Sequence, residues 1–85
     1  MKRVGVLIPQ NGKFTVVNQE FLFARIPTIG ENILIETHDA NDVLTTWVYK
    51  VVDVHFDRNG NVDLFAIKVG TNEDYKHTLD KTIVE

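Results

Sequence analysis

The sequence predicts an all-β fold, because β-branched residues are abundant and strong turn signals separate the apolar runs. Valine (12 residues), isoleucine (7) and threonine (8) are frequent, whereas alanine occurs only three times in 85 residues. Side chains that branch at Cβ suit a pleated sheet and disfavour helices. Asn11-Gly12 and Asn59-Gly60 each lie between apolar runs, which is a strong short-range hairpin signal. We therefore expect a small, strongly bent antiparallel barrel that ends in a short C-terminal helix or strand.

Length, charge and cysteine content limit the class of protein. The chain is long enough for one domain, spanning residues 1–85, and a domain of this size hides only about 60–65% of the surface that it exposes when unfolded. The absence of cysteine excludes disulfides and thiolate metal sites and favours a cytoplasmic location. The net charge of −3 disfavours binding to nucleic acid. No apolar run approaches the length of a membrane span or a signal peptide core, so we expect no membrane association.

The first hairpin carries apolar side chains on both faces. A two-residue turn at Asn11-Gly12 sets the cross-strand pairs, which are Pro9/Phe14, Leu7/Val16 and Gly5/Asn18 on one face and Ile8/Thr15, Val6/Val17 and Val4/Gln19 on the other. Such a strand pair needs two coverings, for instance a barrel interior on one side and a second subunit or the C-terminal segment on the other. This predicts a partner protein or self-association as a homodimer or higher oligomer.

The second hairpin contains a conflict between register and chemistry. With a two-residue turn at Asn59-Gly60, the predicted core face is the apolar one, with Val54/Phe65, Val52/Ile67, Val48 and Val69. The opposite face has the pairs His55/Leu64, Asp53/Ala66 and Val51/Lys68. In this register Lys50 falls on the apolar face, whereas Trp47 and Tyr49 fall on the polar one.

Two interpretations resolve this conflict. A β-bulge around Lys50-Val51 would reverse the alternation and turn Trp47 and Tyr49 inward, since small barrels bend their long strands with bulges. Alternatively, the two aromatic side chains stand on the outer surface and contact a partner. The candidate interaction surface on that second interpretation consists of Trp47, Tyr49, Val51, Phe21 and Phe23.

The segments between the hairpins are predicted from turn residues and alternation. Residues 21–26 predict a further strand or an extended loop over the barrel mouth, and residues 26–36 predict a turn that feeds a strand. The polar residues 37–42 are expected to form a mobile surface loop. A long strand follows from about residue 45 to about residue 57.

The C-terminal region changes its periodicity. Thr71 or Asn72 can cap a short helix. The apolar residues recur every four positions, at Tyr75, Leu79 and Ile83. The alternative for the last residues is a closing strand at 82–84.

Residues that could carry catalysis or bind a metal are scattered along the chain. There is no serine, and the three histidines, His38, His55 and His77, fall in different predicted elements. Residues 57–63 imitate a calcium loop, but Gly60 takes the fourth place instead of the sixth and Lys68 takes the place of the bidentate glutamate. We therefore expect no enzyme activity, no metal and no cofactor.

Residues 26–69 resemble small SH3-like barrels. The pattern begins with a turn and strand that contain Pro27, Gly30, Glu31 and Ile33, and it continues with a variable loop, an aromatic and valine-rich strand, a hairpin and a final apolar strand. Similar barrels occur among small bacterial and phage proteins, and the resemblance implies recognition of peptides or subunits. The predicted function is a non-catalytic protein–protein interaction or oligomerisation module, such as an accessory protein of a bacterium or phage.

The alternative function is a barrel, OB-like in fold, that binds a small ligand or single-stranded nucleic acid. Arg25, Lys50 and Lys68 could share a face with the aromatic residues and combine positive charge with base stacking. Asp53 lies on the same strand and opposes this function. The sequence therefore favours the protein partner.

Overall fold

The computed structural model describes residues 4–81, which form one five-stranded sheet and one helix. The elements are β1 (Val4–Gln10), β2 (Lys13–Val16), β3 (Asn32–His38), β4 (Leu44–Phe56), β5 (Val62–Thr71) and α1 (Asn72–Asp80). The strand order is β2-β1-β5-β4-β3. The mainly β fold is confirmed. The sheet is mixed and open, however, because β1 pairs with β5 in parallel and the sheet is not closed, so the prediction of an antiparallel barrel was wrong on pairing and closure.

The first hairpin has the predicted turn and register. Asn11 and Gly12 both have positive φ, 52° and 81°, as a type I′ turn requires. Leu7 pairs with Val16, and the pairing with β1 continues only through the hydrogen bond from Val17 N–H to Val6 O, 2.8 Å long. The chain then leaves β1 before the predicted pairs Gly5/Asn18 and Val4/Gln19. The Gln19 side chain reaches β3 instead and donates to the main-chain oxygen of Glu36.

The hydrophobic core lies on one face of the sheet, which we call the core face. Its buried residues are Val6, Ile8, Ile33, Ile35, Tyr49, Val51, Val62, Leu64 and Ala66. Residues 17–26 cross this face as an extended loop, and Val17, Phe21, Phe23 and Ile26 pack against the core from it. Of the two predictions for residues 21–26, the extended loop is confirmed.

The second hairpin differs from the predicted register by one residue. The loop closes with a hydrogen bond from Asp57 N–H to Asn61 O, and only Gly60 within it has positive φ, 85°. The Asp57 carboxylate accepts the N–H groups of Asn59 and Asn61. This is a three-residue loop and not the predicted type I′ turn. Because a one-residue shift exchanges the faces of a strand, Leu64 and Ala66 enter the core, and Phe65 and Ile67 face outward.

The long hairpin also contains two irregularities, one in each strand. Val52 is an extra residue on β4, between the pairs Val51/Ala66 and Asp53/Phe65. Val69 is an extra residue on β5. The Val52 bulge reverses the alternation along β4, which buries Tyr49, turns Trp47 toward the core and leaves Lys50 exposed. The bulge interpretation is therefore confirmed, with the bulge at Val52.

Helix α1 begins where the sequence predicts. The Thr71 hydroxyl caps it by accepting the Asp74 N–H, and Glu73 and Asp74 occupy the first turn. Tyr75 Oη accepts a hydrogen bond from Asn32 Nδ2, which places the helix on the face opposite the core, here called the outer face. Val48 is buried on that face. Ile83, the last residue of the predicted helical repeat, and the alternative closing strand at 82–84 lie outside the described residues. Within residues 4–81, no helix has the length and apolar character that crossing a bilayer requires.

An ion pair holds the end of the loop that covers the core. The Arg25 guanidinium donates to both carboxylate oxygens of Glu31, and the Thr28 N–H and hydroxyl donate to Glu31 Oε1 at 2.7 and 2.9 Å. These hydrogen bonds, that from Arg25 first, hold the pKa of Glu31 well below its ordinary value of 4.5. The carboxylate is therefore favoured in its charged form in the folded chain.

The low pKa of Glu31 predicts a loss of stability in acid. A carboxyl group whose pKa is lower in the folded state stabilises that state above the unfolded pKa, and this stabilisation is lost as the pH falls through the folded pKa. Glu31→Gln should therefore lower the urea midpoint at neutral pH, and its difference from wild type should narrow as the pH falls from about 5 to about 2. Arg25→Lys keeps the positive charge but loses the bidentate hydrogen bond, so its urea midpoint at neutral pH should lie between those of wild type and Glu31→Gln. If the midpoint difference between wild type and Glu31→Gln were the same at about pH 5 and about pH 2, the lowered pKa of Glu31 would be contradicted.

Candidate interaction surface

The structure divides the five residues of the predicted interaction surface. Tyr49 and Val51 are 5% and 1% exposed and belong to the core, so their assignment to an accessible surface was wrong. The physical reason is the Val52 bulge, which turns this part of β4 inward. Phe21 and Phe23 are half-buried and stack on each other, with ring centroids 5.9 Å apart and planes 8° from parallel.

Trp47 packs at the border of the core. Its indole Nε1 donates to Thr37 Oγ1 on β3 at 2.8 Å. The Lys68 ammonium lies 3.9 Å from the ring centroid, in the position of a cation–π contact. These contacts tie β3, β4 and β5 together, so they assign Trp47 a structural role.

A different set of apolar side chains lies on the outer face. Alternation along β1, β2 and β5 puts Leu7, Pro9, Phe14, Val16, Phe65 and Ile67 on this face, and we call these six residues the outer patch. Val16 is 62% exposed, and Phe14 and Ile67 are each a little over 40% exposed. The rings of Phe14 and Phe65 meet edge to face at 5.3 Å, so the patch is continuous from β2 to β5.

Sequence reasoning placed four of the six patch residues on one face of the first hairpin, namely Leu7, Pro9, Phe14 and Val16. The predicted turn and register brought these four residues together, but they did not say which of the two apolar faces of the hairpin is the outward one. Phe65 and Ile67 were assigned to the core because the second turn was read as two residues long. Asp57, two residues before Asn59, was the available signal, because an Asp at the first position of a type I turn favours a longer loop.

Charged residues border the outer patch on β4. His55 Nε2 and Asp53 Oδ2 are 2.9 Å apart, and the His55 ring centroid lies 4.5 Å from that of Phe65. Hydrogen bonds from His55 and from the Val54 N–H lower the pKa of Asp53. Lys50 pairs with Ile67 across the strands, so this border contains both signs of charge.

The polar clusters have structural explanations in the part of the chain that is described. Within residues 4–81, no group of three or more His, Cys, Asp or Glu side chains is arranged to hold a metal ion. The Asp57 loop, which imitates a calcium site in sequence, uses its carboxylate to accept hydrogen bonds from Asn59 and Asn61. These bonds, that from the Asn61 side chain first, lower the pKa of Asp57.

Comparison of the chain with models of known protein families, with curated protein sequences and with solved structures finds no match.

Proposed function

We propose that the chain is a non-catalytic oligomerisation module that binds a second copy of itself through the outer patch. The observation that supports this proposal is the continuity of exposed apolar side chains across β2, β1 and β5. The core face has a covering in residues 17–26, and α1 covers the outer face near Val48. The outer patch lies on the part of the outer face toward β2.

The continuity of the exposed apolar side chains in the patch favours association. Monomeric proteins rarely expose continuous apolar patches larger than a few hundred Å². Removing such surface from water contributes about 25 cal/mol per Å². A small domain gains much from this contribution, because its own core is limited by its length of 85 residues.

Three features favour a second copy over another partner. An isologous dimer needs only one self-complementary patch, and an apolar patch complements itself. Lys50 and Asp53 lie along the same border, so a second copy meets both signs of charge and not a uniform repulsive field. The patch also reaches the edge strand β2, whose free backbone groups can pair with the same strand of another copy. The resemblance of residues 26–69 to SH3-like barrels, which commonly recognise subunits, agrees with this proposal as an analogy.

A matched pair of variants tests the proposed dimer. Val16→Lys places an ammonium group in the patch, where association would bury it without a partner. Val43→Lys makes the same change at a comparably exposed loop residue outside the patch. In sedimentation equilibrium, wild type and Val43→Lys should approach twice the chain mass of 9.7 kDa with rising concentration. Val16→Lys should raise the dissociation constant at least about tenfold.

Two results would overturn the proposal. Wild type that stays monomeric up to about 0.5 mM, a concentration at which even millimolar dimers are partly populated, would remove the dimer. Equal dissociation constants for Val16→Lys and Val43→Lys would show that the outer patch is not the dimer interface. Circular dichroism should show that both variants remain folded, because both sites are exposed.

A further inference from the structure

A cavity opens where β2 leaves β1. The predicted pairing of the first hairpin stops after Val16, and residues 17–23 diverge toward the core face and β3. The space between this segment and the start of β1 has a volume of about 630 Å³. That volume lies within the range of small-molecule sites, about 300–1,000 Å³. We call this space the hairpin cavity.

The wall of the hairpin cavity is apolar and partly aromatic. Val4 and Val17 line one side, and Phe21 and Phe23 line another. The two phenyl rings stack in parallel and pack against the core.

The half-buried Asp63 carboxylate also lines the cavity. Within residues 4–81, this carboxylate has no hydrogen-bond or ion-pair partner. Its position depends on Gly5, since a Cβ on residue 5 would lie 3.0 Å from Asp63 Oδ1. Glu20 adds a second acidic side chain to the lining. The cavity therefore combines negative charge with apolar walls.

The backbone of β1 adds hydrogen-bonding groups. Val6 O accepts the Val17 N–H at the point where the hairpin opens. Because backbone groups alternate between the two sides of a strand, the N–H and C=O of Val4 point to that same side. Val4 also lines the cavity, so this side of its backbone faces the opening.

The geometry points to a binding site for a small organic cation, namely a primary ammonium group attached to an aromatic or branched apolar group. The ammonium would pair with Asp63, which alternation places on the outer side of the opening, while the apolar part would contact Val17, Phe21 and Phe23 on its core side. This site is formed by one copy of the chain, and Val16 belongs both to its lining and to the outer patch. It uses the charge and the concave shape that the outer patch lacks.

Titration with two probes tests this site. Benzylamine carries the ammonium group and benzyl alcohol is its neutral counterpart, and binding is followed by ¹H–¹⁵N NMR of the full chain. Benzylamine should shift the amide signals of Val4, Gly5 and Val17. Benzyl alcohol should bind at least about tenfold more weakly, because it lacks the charge that Asp63 recognises.

Three variants test whether the Asp63 carboxylate causes the preference for benzylamine over benzyl alcohol. Asp63→Asn should abolish the preference for benzylamine over benzyl alcohol. Asp53→Asn removes one negative charge from the same sheet outside the cavity and should keep the preference. Gly5→Ala should weaken benzylamine binding, since its Cβ displaces the tip of the Asp63 side chain without meeting other side chains.

Either of two outcomes would overturn the inference. One is equal affinity of wild type for the two probes. The other is an Asp63→Asn variant that keeps the wild-type preference while its spectrum shows a folded chain. Neither outcome bears on the dimer, which is measured by mass and not by amine binding.

Discussion

Leu64→Ala is expected to destabilise the chain by about 3–5 kcal/mol, the range for a fully buried leucine in a well-packed core. Leu64 is 0% exposed and lies on β5, the central strand of the sheet. Its neighbours across the strands are Val6 on β1 and Val54 on β4. Truncation therefore leaves a cavity that is bordered by regular strands on both sides, which have little freedom to collapse into it.

Ile67→Ala is the matched control, because it removes a similar aliphatic side chain from the same strand on the opposite face. Ile67 is exposed on the outer face, so the expected loss is below about 1 kcal/mol when the chain is dilute enough to be monomeric. Urea unfolding measures both values. If Ile67→Ala lowered the free energy of unfolding more than Leu64→Ala, Ile67 and not Leu64 would face the core. The second hairpin would then have the register of a two-residue turn, and the face assignment of β5 would be contradicted.

The two Asn-Gly pairs show what local sequence could predict about this fold. The same dipeptide forms a type I′ turn at residues 11–12 and part of a three-residue loop at residues 58–60. The difference comes from Asp57, whose carboxylate binds two N–H groups of the loop and so stabilises the longer form. The dipeptide predicted that a hairpin exists, and a neighbouring side chain decided its register.

Long-range pairing was beyond the reach of local patterns. The parallel contact between β1 and β5 joins Val4 to Val62 across most of the chain, and nothing in the alternation of either strand specifies it. Turn residues predict which strands are connected, but the order of strands in the sheet depends on which faces must be covered. Residues 17–26 cover the core face, and an open sheet results in place of the predicted barrel.

The two candidate sites also differ in how far local sequence could predict them. That Leu7 and Val16 share an apolar face was visible in the sequence, because their pairing follows from a turn that was predicted, although the sequence did not say that this face is the outer one. The hairpin cavity was not visible, since the predicted pairs Gly5/Asn18 and Val4/Gln19 would have closed it. In the structure Gln19 donates to the main-chain oxygen of Glu36 on β3 instead, and the segment lies apart from the start of β1.

Trp47→Ala is expected to destabilise the chain by about 3 kcal/mol, at the lower end of the range for truncating a large aromatic residue because Trp47 is only half-buried. The ring packs against the core, and its Nε1 donates to Thr37 Oγ1. Trp47→Phe keeps part of the packing and loses the hydrogen bond, so a smaller loss of about 1–2 kcal/mol is expected. Lys68→Gln, which removes the cation above the ring, should cost less than about 1 kcal/mol.

The dissociation constant of the dimer separates this structural role from a role in binding. Trp47 lies on the core side of β4, whereas the outer patch is on the opposite face, so Trp47→Ala should leave association of the folded fraction unchanged. Unfolding and sedimentation experiments on the same variant measure the two effects independently. If Trp47→Ala kept the wild-type urea midpoint and weakened association, the indole would belong to the partner interface, and the inward turn of β4 at Val52 would be contradicted.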